Sequence, residues 1–188
     1  VRGTSWDFNV VAGYAMDYAQ AEDVSNYREM MRGTAFASYF SRWPNNIPLY
    51  LLLGKVFRLF ASSGISLNVV GMGLNILAID IAIIFLYFSV RKVTGTSSAA
   101  CISLLLATLH IPLLVYVPIY YTDTLTLPFP IIGFYLWLKV KEELGNEKMG
   151  KALAFAIGMA LLLGVGAVLK LTVIFILIAA AFDGLVSL

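Results

Sequence analysis

The sequence predicts an all-α, polytopic transmembrane helical bundle with an amphipathic first loop, and three observations predict it. Of its 188 residues 60% are hydrophobic and 13% charged, with a mean hydropathy of +0.86, a balance that does not suit a water-soluble globule. From residue 67 onward the apolar residues fall into runs that approach the roughly 20 needed to cross the hydrocarbon of a bilayer. Short basic clusters punctuate those runs, at Arg91-Lys92 and across Lys139–Lys151. The net charge of +2, with no basic stripe, argues against nucleic acid as a partner. Cys101 has no second cysteine to pair with and reads as a small buried hydrophobe. The chain starts at Val1 and stops at Leu188 inside apolar sequence, so we read it as incomplete at both ends.

Residues 1–66 form the first unit. Up to residue 45 it is polar, with Asp7, Asp17, Glu22, Asp23 and Glu29 set against Arg2, Arg28, Arg32 and Arg42. Within it Phe8, Val11, Tyr14, Ala15 and Tyr18 recur at helical spacing, which predicts an amphipathic helix from Asp7 to about Gln20. Asn46 stands where a helix cap is expected and Pro48 fits a first turn. The apolar stretch that follows, Ile47 to Phe60, contains Lys55 and Arg58 and is short for a span, so it is expected to lie in the membrane interface.

Residues 67–188 form the second unit. Spans are expected at about 67–90, 99–119, 125–140, 152–169 and 171–188. The 99–119 span is bent by Pro112 and Pro118 and the next carries Pro128 and Pro130 near its start. Ala152, Ala156, Ala160 and Gly164 make a small-residue stripe that would admit a close neighbour. Between the second and third spans stands Tyr120-Tyr121-Thr122-Asp123-Thr124, polar and acidic between two apolar runs.

The basic clusters sit on alternate connections, a side the positive-inside rule assigns to the cytoplasm. Residues 1–66, the Asp123 turn and the Lys170 turn then share the extracytoplasmic face. Asp7, Asp123, Lys170 and Arg42 are thereby placed to line one cleft. Two carboxylates and a cation there suit a reaction in which an acceptor hydroxyl loses a proton while an anionic, lipid-linked leaving group is held.

These residues resemble a family. An acidic residue in the first outer loop (Trp6-Asp7-Phe8), a Pro-bearing interfacial segment (Tyr39-Phe40-Ser41-Arg42-Trp43-Pro44-Asn45-Asn46), an outer-edge Tyr-Thr-Asp-Thr and Leu169-Lys170-Leu171-Thr172 are similar to the GT-C superfamily. These are polytopic glycosyltransferases related to protein mannosyltransferases and aminoarabinose transferases, and the wording is most like a bacterial, Gram-positive branch. The resemblance implies a multi-pass cell-membrane enzyme that moves a sugar from a polyprenyl-phosphate donor to a glycan, lipid or protein acceptor on the extracytoplasmic face. It implies catalytic roles for Asp7, as base or acceptor-positioning group, and for Asp123, and a donor-phosphate contact for Lys170. Arg42, Asn46 and Tyr121 are the further substrate-binding candidates. The sequence departs from many members in having a lone Asp7 before Phe8 rather than an Asp-Glu pair. Metal dependence varies within the superfamily, which leaves a divalent metal open, and no residues here have the ligand spacing to assign one.

Each candidate also has a purely structural role to set against this. Asp7 suits a helix N-cap, and Asp123 suits a cap of the next helix with Thr122 and Thr124. Lys170 is placed to snorkel, Arg42 and Asn46 to fix the interfacial helix, and Tyr120 and Tyr121 to join an aromatic belt. Separately, Asp80 and His110 fall at similar depths on sequential antiparallel helices, and a hydrogen bond between them is expected to lock the pair. A proton relay there would instead mark a secondary transporter. Transporters place their chemistry at the midplane, whereas the other acids here gather at one edge. A non-catalytic assembly subunit is the third alternative, for which Asp7 and Asp123 would be replaceable.

Overall fold

A computed structural model describes residues 6–22 and 34–186; Arg2, Asp23, Arg28, Glu29 and Arg32 lie outside the described residues. Those residues fold into helices, α-helical and 3-10, with no strand among them. We number the α-helices α1 (Trp6–Gln20), α2 (Ala35–Arg42), α3 (Ile47–Phe60), α4 (Leu67–Thr94), α5 (Ser97–Thr108), α6 (Ile111–Val115), α7 (Thr122–Leu125), α8 (Pro128–Gly145), α9 (Met149–Leu169) and α10 (Phe175–Val186).

The period of α1 determines its packing. Phe8, Val11, Ala15 and Tyr18 are buried, and the helix lies against α3, whose Leu49, Leu53 and Phe57 are 0% exposed. A Cβ on Gly54 would come within 2.7 Å of the Tyr18 ring, so the glycine sets how closely α1 and α3 approach. Arg58 Nη1 donates to the Ala21 carbonyl at 3.2 Å, just past the end of α1, which satisfies one of the acceptors a helix end leaves open. The apolar face of the expected interfacial helix is thus covered by α1.

Helices α4 and α9 are long and apolar enough to cross a membrane. At 1.5 Å per residue, their 28 and 21 residues span about 42 and 31 Å, against a hydrocarbon thickness of about 30 Å. Helix α4 ends at Gly95, whose positive φ of 70° and N–H bond to the Arg91 carbonyl stop it. The next helix, α5, turns back against α4.

The segment expected as one bent span over 99–119 is broken. Helix α5 ends at Thr108 with Leu109 as its C-cap, His110 is extended, and after the five residues of α6 the chain leaves helical geometry through Pro118. The helical run stops at Pro118, and the carbonyls around it meet a partner on another helix. Asn75, 0% exposed on α4, takes them up: its Nδ2 donates to the carbonyls of Tyr116 at 2.9 Å and Val117 at 3.0 Å, with Ile119 at 3.5 Å.

Three other expectations meet a different arrangement. Asp80 and His110 are both exposed and share no hydrogen bond among the described residues, because Asp80 lies on the face of α4 opposite buried Asn75, Ala78 and Ala82. The Ala160 and Gly164 part of the small stripe is exposed. Helix α9 instead turns Met159, Leu163 and Gly166 inward, and Gly166 packs so tightly that an added Cβ would sit 2.7 Å from Phe129 on α8. Cys101 is exposed, on the outer side of α5.

Charges collect at both ends of the bundle. At one end Lys92 of α4 and Lys139 of α8 pair with Glu142 at 2.5 and 2.9 Å. Their hydrogen bonds, that from Lys139 first, hold the Glu142 carboxyl down to about 2. Lys141 and the Trp137 indole both donate to Asp183 of α10 at 2.8 Å. The N-terminus of α4 and the C-terminus of α9 lie at the other end, with the residues the sequence singles out.

Candidate functional site

At that other end, side chains from four elements form a directional chain of hydrogen bonds. Tyr121 O–H donates to Asn46 Oδ1 at 2.8 Å, Asn46 Nδ2 donates to the Tyr39 oxygen at 2.7 Å, and Tyr39 O–H donates to Asp7 Oδ1 at 3.0 Å. Every link points its donor toward Asp7, so each bond polarises the next. Asp7 lies in the first turn of α1, where the positive end of the helix favours a carboxylate.

Local sequence explains each placement. The Trp43-Pro44 step breaks α2 from α3 through a 3-10 turn at Pro44–Asn46. Asn46 takes the N-cap position of α3, yet its side chain caps nothing. It is 2% exposed and gives its amide to the two tyrosines. Tyr39 sits on the buried face of α2 beside Phe40. Tyr121 precedes α7, and the ring of its neighbour Tyr120 is anchored: 1% exposed, edge-on to Phe8 at 4.8 Å and to Phe57 at 6.0 Å, with its hydroxyl donating to Asn68 Oδ1 at 2.9 Å. Because Phe8 follows Asp7 and Tyr120 precedes Tyr121, this aromatic contact aligns the two ends of the hydrogen-bonded chain.

Asp123 does not cap a helix. It lies within α7, with no side-chain cap bond, and pairs with Lys170, the residue that ends α9. The Thr124 hydroxyl turns back to the Ile119 carbonyl at 3.3 Å and that of Thr126 to Thr122 at 2.5 Å. Burial pushes the Tyr39 phenol well above its ordinary range, and the bond to Asp7 pushes the same way. Burial likewise raises Tyr121, helped by the charges of Asp7 and, more weakly, Asp123. Both phenols therefore remain protonated donors at neutral pH.

The structure thus brings together Asp7, Asn46, Tyr121, Asp123 and Lys170. It leaves Arg42 exposed at the end of α2, with no ion pair among the described residues. Tyr39 is the member that sequence reasoning missed as a site residue. It stands seven positions from Asn46, across the proline break, so helical spacing does not link them; a phenol beside apolar Phe40 in a polar segment is the one local signal. Two grooves flank the site. One of about 330 Å³ is bordered by Phe8, Asn9, Met16, Asn68, Met72 and Tyr120. The other, about 300 Å³ and almost wholly apolar, is bordered by Leu52, Leu77, Leu125, Phe129 and Leu169 among others. Among the described residues no three His, Cys, Asp or Glu side chains cluster to hold a metal.

A family model described as conserved hypothetical integral membrane protein matches residues 15–188. No curated protein and no solved structure matches the chain.

Proposed function

The chain belongs to this family of conserved hypothetical integral membrane proteins, and from that premise we propose that it is the catalytic part of a GT-C-type membrane glycosyltransferase. It moves a sugar from a polyprenyl-phosphate donor to an acceptor hydroxyl on the extracytoplasmic face. One observation carries the reading: two carboxylates, Asp7 and Asp123, flank the Tyr121 phenol at one end of the bundle, and a lysine is paired with the second.

In this reading Asp7 accepts the proton of the acceptor hydroxyl as its oxygen bonds to the anomeric carbon. The bond from that carbon to the donor phosphate breaks in the same step, and the leaving polyprenyl phosphate keeps the electron pair. Tyr39 and Asn46 hold the Asp7 carboxylate in place, Lys170 balances the phosphate, and Asp123 and Tyr121 orient the acceptor. The apolar groove beside Leu125 and Leu169 supplies a seat for prenyl units close to Lys170. The basic ends of α4 and α8 are the cytoplasmic side under the positive-inside rule.

What supports an enzyme over a secondary transporter is the gathering of these groups at one end, while midspan Asp80 and His110 are unbonded to each other. The test is transfer from a radiolabelled polyprenyl-phosphate sugar in membranes carrying the full-length protein. Asp7→Asn and Asp123→Asn, at matched expression, are each expected to lower transfer at least 100-fold, the usual scale of acid–base contributions. Undiminished transfer by both variants would return the two aspartates to structural roles and leave an assembly subunit or transporter as the better reading.

A further inference from the structure

The Asp123–Lys170 ion pair joins unequal partners. The Lys170 side chain is 30% exposed and that of Asp123 59%. Lys170 is also fixed through its backbone: its N–H donates to Gly166 at 2.9 Å and its carbonyl accepts from Val173 at 3.1 Å. The preceding residue, Leu169, borders the apolar groove of about 300 Å³, as does Leu125, two positions after Asp123. An ammonium on the residue next to Leu169, carried by a backbone held through these two bonds, and an apolar groove bordered by Leu169 together fit an amphiphile that carries an anionic group on an apolar tail. The carboxylate that now neutralises it is the freer of the two groups, and it stands close enough to Tyr121 for its charge to act on that phenol.

We propose that this ion pair is the resting form of a seat for a prenyl phosphate, and that the incoming phosphate takes Lys170 from Asp123. No covalent bond changes. One anion replaces another on the ammonium, and the displaced Asp123 carboxylate is released, still charged, beside Tyr121. The inference rests on the donor class named above and adds an order to it: Asp123 becomes available to an acceptor only after the donor is seated.

The consequence for binding has a definite sign. Removing the internal competitor strengthens phosphate binding, whereas removing the ammonium weakens it. Ion pairs this exposed are worth about 0.2–1 kcal/mol, which corresponds to a release of about 1.4- to 5-fold in Kd. The full-length protein in nanodiscs is titrated with farnesyl phosphate, with farnesol and inorganic phosphate as separate arms, at low and high salt. Thermal unfolding of each variant verifies that it is folded.

Asp123→Asn is expected to bind farnesyl phosphate about 1.4- to 5-fold more tightly, with a smaller gain at high salt. Lys170→Gln is expected to weaken binding, and the double variant to match Lys170→Gln alone. Unchanged or weaker binding by Asp123→Asn overturns the proposal, as does farnesol binding as well as its phosphate. Inorganic phosphate responding as strongly as farnesyl phosphate overturns the lipid assignment. No sugar or acceptor is present, so the exchange can stand even where sugar transfer fails, and transfer can stand where Asp123→Asn leaves binding unchanged.

Discussion

Replacing Gly71 with alanine tests the seat of Tyr120, and with it the alignment of the site. The new Cβ would lie 2.6–2.7 Å from Cζ, Cε1 and Cε2 of Tyr120, closer than any such contact survives. The outer half of a ring can often swing aside, but this one is held by Phe8 and Phe57 on its edges and by Asn68 at its hydroxyl. Overpacking of this kind costs about 1–3 kcal/mol, and a strained Asn68 bond adds about 1 kcal/mol. The better helix propensity of alanine returns up to about 1 kcal/mol, for a net loss of about 1–3 kcal/mol. Gly73, two residues on, has nothing within 4 Å of an added Cβ, so Gly73→Ala is the matched control and should be neutral or slightly stabilising. Unfolding of the full-length protein in one detergent, followed by circular dichroism, compares the two. Equal stability, within about 0.5 kcal/mol, would show that Tyr120 does not occupy this seat and would remove the argument that it aligns Tyr121 with Asp7.

Two further outcomes follow from the same geometry. Asn75→Leu leaves the Val117 carbonyl without its donor and takes one of two donors from the Tyr116 carbonyl, which keeps the Ile119 N–H at 2.9 Å, at about 1–3 kcal/mol for the carbonyl left alone; amide hydrogen exchange should rise through the broken segment and stay unchanged in α9, and a uniform response would refute the pin. Burial raises the Tyr120 phenol from 10.0 to about 12, so the unfolded chain loses this proton first. The stability it contributes is complete below pH 10 and is lost as pH climbs toward 12, roughly 2–3 kcal/mol in all. Tyr120→Phe should flatten that alkaline limb of the stability curve, and an unaltered limb would assign it to other groups.

Much of the helical plan was legible because the forces behind it are local. The face made by Phe8, Val11, Ala15 and Tyr18 follows from period alone, and Arg91-Lys92 put the end of the first long span near 90, although the helix runs on to Thr94 before Gly95 stops it. Ile47–Phe60 was delimited by composition, but its covering by α1 was not, since an apolar face does not say whether protein or lipid meets it. The break after α5 was announced by Pro112 and Pro118 only as a bend. Its depth depends on Asn75, some forty residues earlier, and nothing near the prolines signals that partner. Asp80 and His110 matched in depth, but depth does not fix rotation about a helix axis. In the site, Asp7, Asn46, Tyr121, Asp123 and Lys170 were each visible as polar residues at the edges of apolar runs. What each side chain bonds was not visible: Asn46 and Asp123 occupy positions that local rules assign to capping, and long-range partners claim them instead.

The hydrogen-bonded chain from Tyr121 to Asp7 also constrains how this molecule can drift over generations. Tyr39 and Asn46 each serve two neighbours at once, so a replacement at either removes two hydrogen bonds together. Single changes there are penalised twice. In descendants of this sequence the four positions are expected to persist as a set or to be exchanged together, and the interval between Tyr39 and Asn46 to resist insertion and deletion.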